Sequence, residues 1–206
     1  MEPIETIESE GLRACIYVDE EPFDPRKEYD NFGRMVCFHK KYRLGDGHDI
    51  TAEDFAGWEA IEEHLRKELG AVVVLPLYLY DHSGITVNTT GYSCPWDSCQ
   101  VGFTYATAED ILKNWGGKEV TKELLQKAED LLRSEVETYD QYLTGQVYGY
   151  VITAKDGSDL PFDAGSCWGI YGLEWTKKEA ASELAAAVRE ANRRAESRAI
   201  AAGTAD

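Results

Sequence analysis

The sequence predicts an α+β fold: a single domain on a mixed, mostly antiparallel sheet of about six or seven strands, with helices packed on one face. Three observations carry that expectation. Short apolar or alternating runs, each closed by Gly, Asp or Asn turn residues, recur along the chain as strands do. Longer stretches instead space their apolar residues at helical intervals behind a threonine cap. No segment repeats at a fixed period, and no low-complexity linker divides the 206 residues.

Taken in order, residues 1–11 are polar and Glu-rich and read as a flexible acidic lead. A core domain is expected over 12–175, followed by a C-terminal helix over 176–206 that frays at its end. Leu12 to Val18 alternates as a first strand. Asp19 to Gly33, with two prolines and a charge run, is a long connection ending in a tight turn. Arg34 to His39 is the second strand, and Lys40 to Ile50 a loop. Thr51 opens a helix whose stripe is Phe55, Trp58, Ile61, Leu65 and Leu69, and Gly70 ends it.

The central stretch follows. Val72 to Leu79 is an unbroken apolar run, too short to cross a bilayer and rich in β-branched residues, so it reads as a strand buried on both faces. After the turn Asp81-His82-Ser83-Gly84, Ile85 to Thr89 alternates as a half-buried strand. Gln100 to Tyr105 forms another. Thr107 caps a short helix stopped by Gly116-Gly117, and Thr121 begins a longer one with a stripe from Leu125 to Leu143. Gln146 to Thr153 and Ser166 to Tyr171 are the last strands. Thr176 and Glu179 form a capping box for the final helix, whose apolar positions are mostly alanine without a strong stripe.

The formal charge of −17 bears most directly on function. So acidic a surface repels phosphate, so direct nucleic-acid binding is not expected; the charge serves either solubility or docking on a basic protein partner. The excess is greatest in residues 1 to 30 and along the middle helices. There is no basic, apolar, cleavable N-terminal pattern and no apolar run of about 20 residues, which predicts a cytoplasmic protein without membrane association. Five cysteines, an odd number, fit a reducing compartment.

Two groups of side chains could carry chemistry. His39, Asp46 and His48 form H-x6-D-x-H, a set able to bind a divalent metal, although the spacing matches no diagnostic motif. His82, Cys94 and Asp97 lie on the connections flanking one hairpin and supply the elements of a cysteine-dependent catalytic site. Nothing basic neighbours Cys94 in sequence, and neither Ser83 nor Ser93 sits in a nucleophile elbow. No phosphate-binding loop or dinucleotide fingerprint is present. Glu135, Glu137 and Asp140 gather toward the C-terminal end of the long helix, where they oppose its dipole.

Three blocks carry a resemblance: YDNFGRMVCFHKKYRLGDGHD (29–49), LPLYLYDHSGITVNTTGYSCPWDSCQVGFTY (75–105) and ETYDQYLTGQVYGYVI (137–152), with SCWGIYG near the end. Together they resemble a family of uncharacterised proteins of phages and other mobile elements. Cys99 stands where that pattern has glycine. The resemblance implies a mobile-element setting and transfers no catalytic residues. Two functions follow as expectations. One is an accessory protein that binds a host protein with a basic surface, such as a nucleic-acid-acting defence complex, and interferes with it. The other is a small metal- or cysteine-dependent hydrolase.

Overall fold

The computed structural model describes residues 2–203. In chain order its elements are β1 (Glu5–Ser9), β2 (Leu12–Val18), α1 (Pro25–Glu28), β3 (Arg34–Cys37), α2 (Trp58–Lys67), β4 (Ala71–Asp81), β5 (Ile85–Asn88), β6 (Ser98–Thr107), α3 (Ala108–Trp115), α4 (Lys122–Leu143), β7 (Val147–Ala154), β8 (Ser166–Tyr171) and α5 (Leu173–Gly203). The fold is α+β. Its eight strands make two four-stranded antiparallel sheets, ordered β1-β2-β7-β8 and β3-β6-β4-β5, where one sheet was expected. The sheets belong to two compact units, residues 1–22 with 145–206, and residues 23–144.

In the first unit the acidic lead is a strand. Glu10 and Gly11 both take positive φ, which closes a two-residue hairpin between β1 and β2. Ile7 packs inward, while Glu5 meets Lys177 at 2.7 Å and Glu8 meets Lys155 at 2.9 Å. The Glu-rich composition therefore hides an ordinary edge strand whose charges are matched by bases. β2 then runs beside β7, from Leu12↔Ala154 to Val18↔Tyr148.

Helix α5 starts at Leu173, ahead of the expected capping box, and Thr176 instead donates its hydroxyl to the Gly172 carbonyl. Its inward positions Ala180, Leu184, Ala187 and Val188 follow helical spacing and pack on Leu12, Ala14, Ile16, Tyr150 and Ile152. The stripe exists, but half of it is alanine. The end expected to fray is helical to Gly203, and 204–206 lie outside the described residues. On β7, Gly149 leaves room for the Trp168 ring, which an added Cβ would meet at 2.3 Å.

In the second unit β4 pairs with β6 along most of its length and with β5 only at Tyr78–Asp81. It is not buried on both faces. Val73, Leu75, Leu77 and Leu79 are buried beneath α3 and α4, whereas Val74, Pro76, Tyr78 and Tyr80 are half-buried. The opposite face is covered by α2 at one end only, through Ile61 and Leu65 against Val36, Phe103 and Tyr105. Helices thus lie on both faces of this sheet. Helix α2 itself begins at Trp58, later than Thr51, because Gly57 at φ 128 breaks the chain after a 3-10 turn at Ala52–Asp54. Phe55 still packs in the same core.

The start of α3 is a full capping box: Asp110 N donates to Thr107 Oγ1, and Thr107 N donates to Asp110 Oδ2. Arg34 on β3 adds a bond to the same carboxylate at 2.6 Å. Burial works against this charge, but Arg34 and Thr107 outweigh it and hold the Asp110 carboxyl below the usual range.

Two outcomes follow from this packing. A Cβ at Gly102 would lie 1.9 Å from the Val36 carbonyl oxygen, so Gly102→Ala should destabilise the protein by about 2–3 kcal/mol in urea unfolding. Because Asp110 is depressed, its contribution is complete above the ordinary aspartate pKa of about 4 and is lost as pH falls through its lower folded value. Asp110→Asn should therefore lower the melting temperature at neutral pH and flatten its fall on acidification. An acid limb as steep as the wild type's would contradict the assignment.

Candidate functional site

Every residue singled out for chemistry lies in the second unit, and the loop holding His39, Asp46 and His48 is tied down by one buried cation. Asp24 caps α1 through Arg26 N, with Pro25 in the first turn, and this points Arg26 inward. The Arg26 side chain is 1% exposed. Its Nε and Nη2 grip Asp46 at 2.9 and 2.7 Å, Nη2 also donates to the Gly33 carbonyl at 2.8 Å, and Nη1 reaches Glu135 at 3.5 Å. Glu135 on α4 accepts in turn from Phe32 N and Gly33 N. Burial opposes the Arg26 charge, yet Asp46 and Glu135 raise its pKa and keep it protonated. For Glu135 burial prevails and pushes the carboxyl up, against the bonds from Gly33, Phe32 and Arg26.

The expected metal set, His39, Asp46 and His48, is engaged in separate contacts. Asp46 is engaged by Arg26 and by Met35 N at 2.7 Å, so its oxygens are occupied. His48 directs Nε2 at the Cys37 carbonyl at 3.0 Å, and its ring lies tilted against Phe38 with centroids 5.0 Å apart. His39 Nδ1 accepts from Lys41 N and Tyr42 N, closing a loop turn, with the ring stacked on Tyr42. Among the described residues no three His, Cys, Asp or Glu side chains converge to hold a metal ion. His39, Asp46 and His48 are organising groups of one loop, each with its own partner.

His82, Cys94 and Asp97 do come together. The hairpin brings Asp81 N to the Asp97 carbonyl at 2.8 Å, which sets the two connections side by side. His82 Nδ1 lies 3.3 Å from Asp97 Oδ2, and Cys94 Sγ donates to the same oxygen at 3.7 Å. The carboxylate stands between thiol and imidazole. A catalytic thiol needs the imidazole itself at the sulfur, because a carboxylate is far too weak a base to draw off a thiol proton. Trp96, between Cys94 and Asp97 in sequence, is 91% exposed.

No family model, curated protein or solved structure matches the chain. No helix among the described residues is long and apolar enough to cross a membrane.

Part of the acidic surplus lies open around α2. Asp49, Glu53, Asp54, Glu59 and Glu68 are exposed, and none forms an ion pair with a base among the described residues. Elsewhere on the same helix Glu62 pairs with Arg66 and Glu63 with Lys67. The residue that sequence reasoning missed is Arg26. Its one local signal was Asp24-Pro25, a helix start placed inside what reads as a long connection.

Removing the buried cation would leave Asp46 and Glu135 without their counter-charge. Arg26→Ala should cost about 3–5 kcal/mol in chemical unfolding, far more than the loss of an exposed pair such as Arg66–Glu62.

Proposed function

We propose that this chain is an accessory protein of a phage or other mobile element that binds a host protein through charge complementarity and interferes with it. The observation that carries the reading is the group of exposed, unpaired carboxylates at Asp49, Glu53, Asp54, Glu59 and Glu68, on a protein of net charge −17. Carboxylates already satisfied by a neighbouring base gain little from a partner; these five are free to meet one. The partner class that fits is a nucleic-acid-acting defence complex in the host cytoplasm, since a groove that holds phosphate must be cationic. The mobile-element setting rests on the resemblance of the three sequence blocks.

The alternative is a small cysteine-dependent hydrolase, and the convergence of Cys94, Asp97 and His82 speaks for it. The order of contacts favours binding, because the imidazole faces the carboxylate and not the thiol.

The test is binding to purified host restriction and nuclease complexes, with and without lysine at Asp49, Glu53, Asp54 and Glu59 together. Affinity should fall at least about tenfold between roughly 0.05 and 0.2 M salt, chiefly through a slower on-rate. The fourfold variant should keep its circular dichroism spectrum and lose the interaction. Binding that ignores both salt and charge reversal would refute the proposal.

A further inference from the structure

The β3-β6-β4-β5 sheet has two outer edges, and side chains close most of both. On β3, Met35 N donates to Asp46 Oδ2 and the Met35 carbonyl accepts from Asp46 N. On β5, Val87 N donates to Asp140 Oδ1 at 2.8 Å. Those bonds fix which way the peptide groups point along the regular stretch of β4 from Val73 to Leu77, between register shifts at Ala71/Val73 and Leu77/Tyr78. Met35 faces outward, so its neighbours Arg34 and Val36 face β6, opposite Tyr105 and Phe103. Tyr105 and Phe103 therefore face β3, while Thr104 and Gly102 face β4, where their partners are Leu75 and Leu77. Between them Val74 and Pro76 must point away from β6.

Nothing among the described residues pairs with them there. β5 reaches only Tyr78 on that side. The Val74 N–H and carbonyl and the Pro76 carbonyl are left open, and the Val72 carbonyl has only a long contact from Arg66 Nη1 at 3.5 Å. A proline inside an apolar strand is explained by this position, since its missing N–H falls on the unpaired side. The same edge forms the floor of a cavity of about 320 Å³. Arg66 of α2 stands on one wall, and Lys122, Leu125, Gln126 and Glu129 of α4 form the other.

We propose that this open edge of β4 is a docking site for an extended segment of a partner protein, which adds as a strand beside Val72–Pro76. Main-chain bonds to Val74 and Pro76 supply the directional part of recognition, as in other strand additions. The walls specify the side chains. Arg66 is paired with Glu62 and Glu129 with Arg133, whereas Lys122 has no ion pair among the described residues. The groove thus carries one unanswered positive charge on an otherwise acidic protein, and it selects a segment with an acidic side chain toward Lys122 and a small apolar one against Leu125. A second copy of this chain fits less well, because two molecules of charge −17 repel and Pro76 removes a donor from any self-paired ladder. None of the five unpaired carboxylates near α2 lines this groove, so either proposal can fail without the other.

The probe is an acetylated hexapeptide alternating valine and glutamate, titrated into the full chain and followed by amide hydrogen exchange in NMR. In the free protein the Val74 amide should exchange faster than those of Leu75 and Leu77, which β6 holds. At about 1 mM peptide, Val74 exchange should slow at least about tenfold. The same peptide methylated on alternate backbone nitrogens should bind at least about tenfold more weakly, since it can no longer donate to the Val74 and Pro76 carbonyls. Lys122→Glu, a change at an exposed position, should weaken the unmodified peptide as well. A peptide that leaves Val74 exchange unchanged overturns the proposal. So does a Val74 amide protected in the free chain, whether at every concentration or only as concentration rises, which would mean a second copy holds the edge.

Discussion

The buried guanidinium of Arg26 is the constraint on which the second unit depends. Three pieces of chain with little apolar content of their own meet at it: the segment from α1 to Gly33, the loop through Asp46, and the side of α4 at Glu135. An ion so far from water is costly unless nearly every donor is used, and here the carboxylate grip, the Gly33 carbonyl and Glu135 together meet that condition. The approach also needs glycine at 33. A Cβ there would fall 2.0 Å from Leu132 and 3.1 Å from Glu135, holding the strand entry away from α4. What the ion cluster supplies is position, because β3 begins one residue beyond Gly33 and its register follows from where that residue sits.

The same carboxylates resolve a local conflict. Acids near the C-terminal end of α4 oppose the helix dipole, a mildly unfavourable placement in water. Glu135 and Asp140 are there because each ends on main-chain donors outside the helix, Phe32 N and Gly33 N for one and Val87 N for the other. An unpaired amide at a strand edge invites other chains, and closing it with an inward-turned carboxylate removes the invitation. Asp46 does this for β3. Against that background the uncovered stretch at Val74 stands out, since carboxylates close edge amides on the two outer strands, β3 and β5.

Much of the fold was legible because local periodicity records local burial. The helices from Thr107 and Thr121 start where their caps predicted, and the central strands lie within a few residues of the expected limits. What escaped depended on partners distant in sequence. β1 reads as a polar lead until Lys155 and Lys177 are placed beside its glutamates. The α5 stripe is invisible to a hydrophobic count because alanine packs it. Two sheets instead of one follow from β2 choosing β7, a pairing across more than half the chain that no local pattern encodes. The meeting of His82 with Asp97 was readable from the hairpin, whereas the ties of Asp46 were not, since Arg26 looked like one more charge in a connecting run.

The acids of this chain therefore fall into two kinds, and the distinction bears on function. Asp46, Asp110, Glu135 and Asp140 are spent on amides and guanidinium groups, and their charge is answered within the fold. Asp49, Glu53, Asp54, Glu59 and Glu68 instead are exposed and form no ion pair with a base among the described residues. Coulomb attraction across water weakens over roughly 8 Å at physiological salt, so a partner feels chiefly the unanswered charges nearest to it. Net charge alone then overstates how attractive the whole surface is and understates how local the attraction must be. The structural carboxylates thus contribute to stability and little to recognition, whereas exposed acids without a base, Asp49, Glu53, Asp54, Glu59 and Glu68 among them, are the ones open to a basic partner.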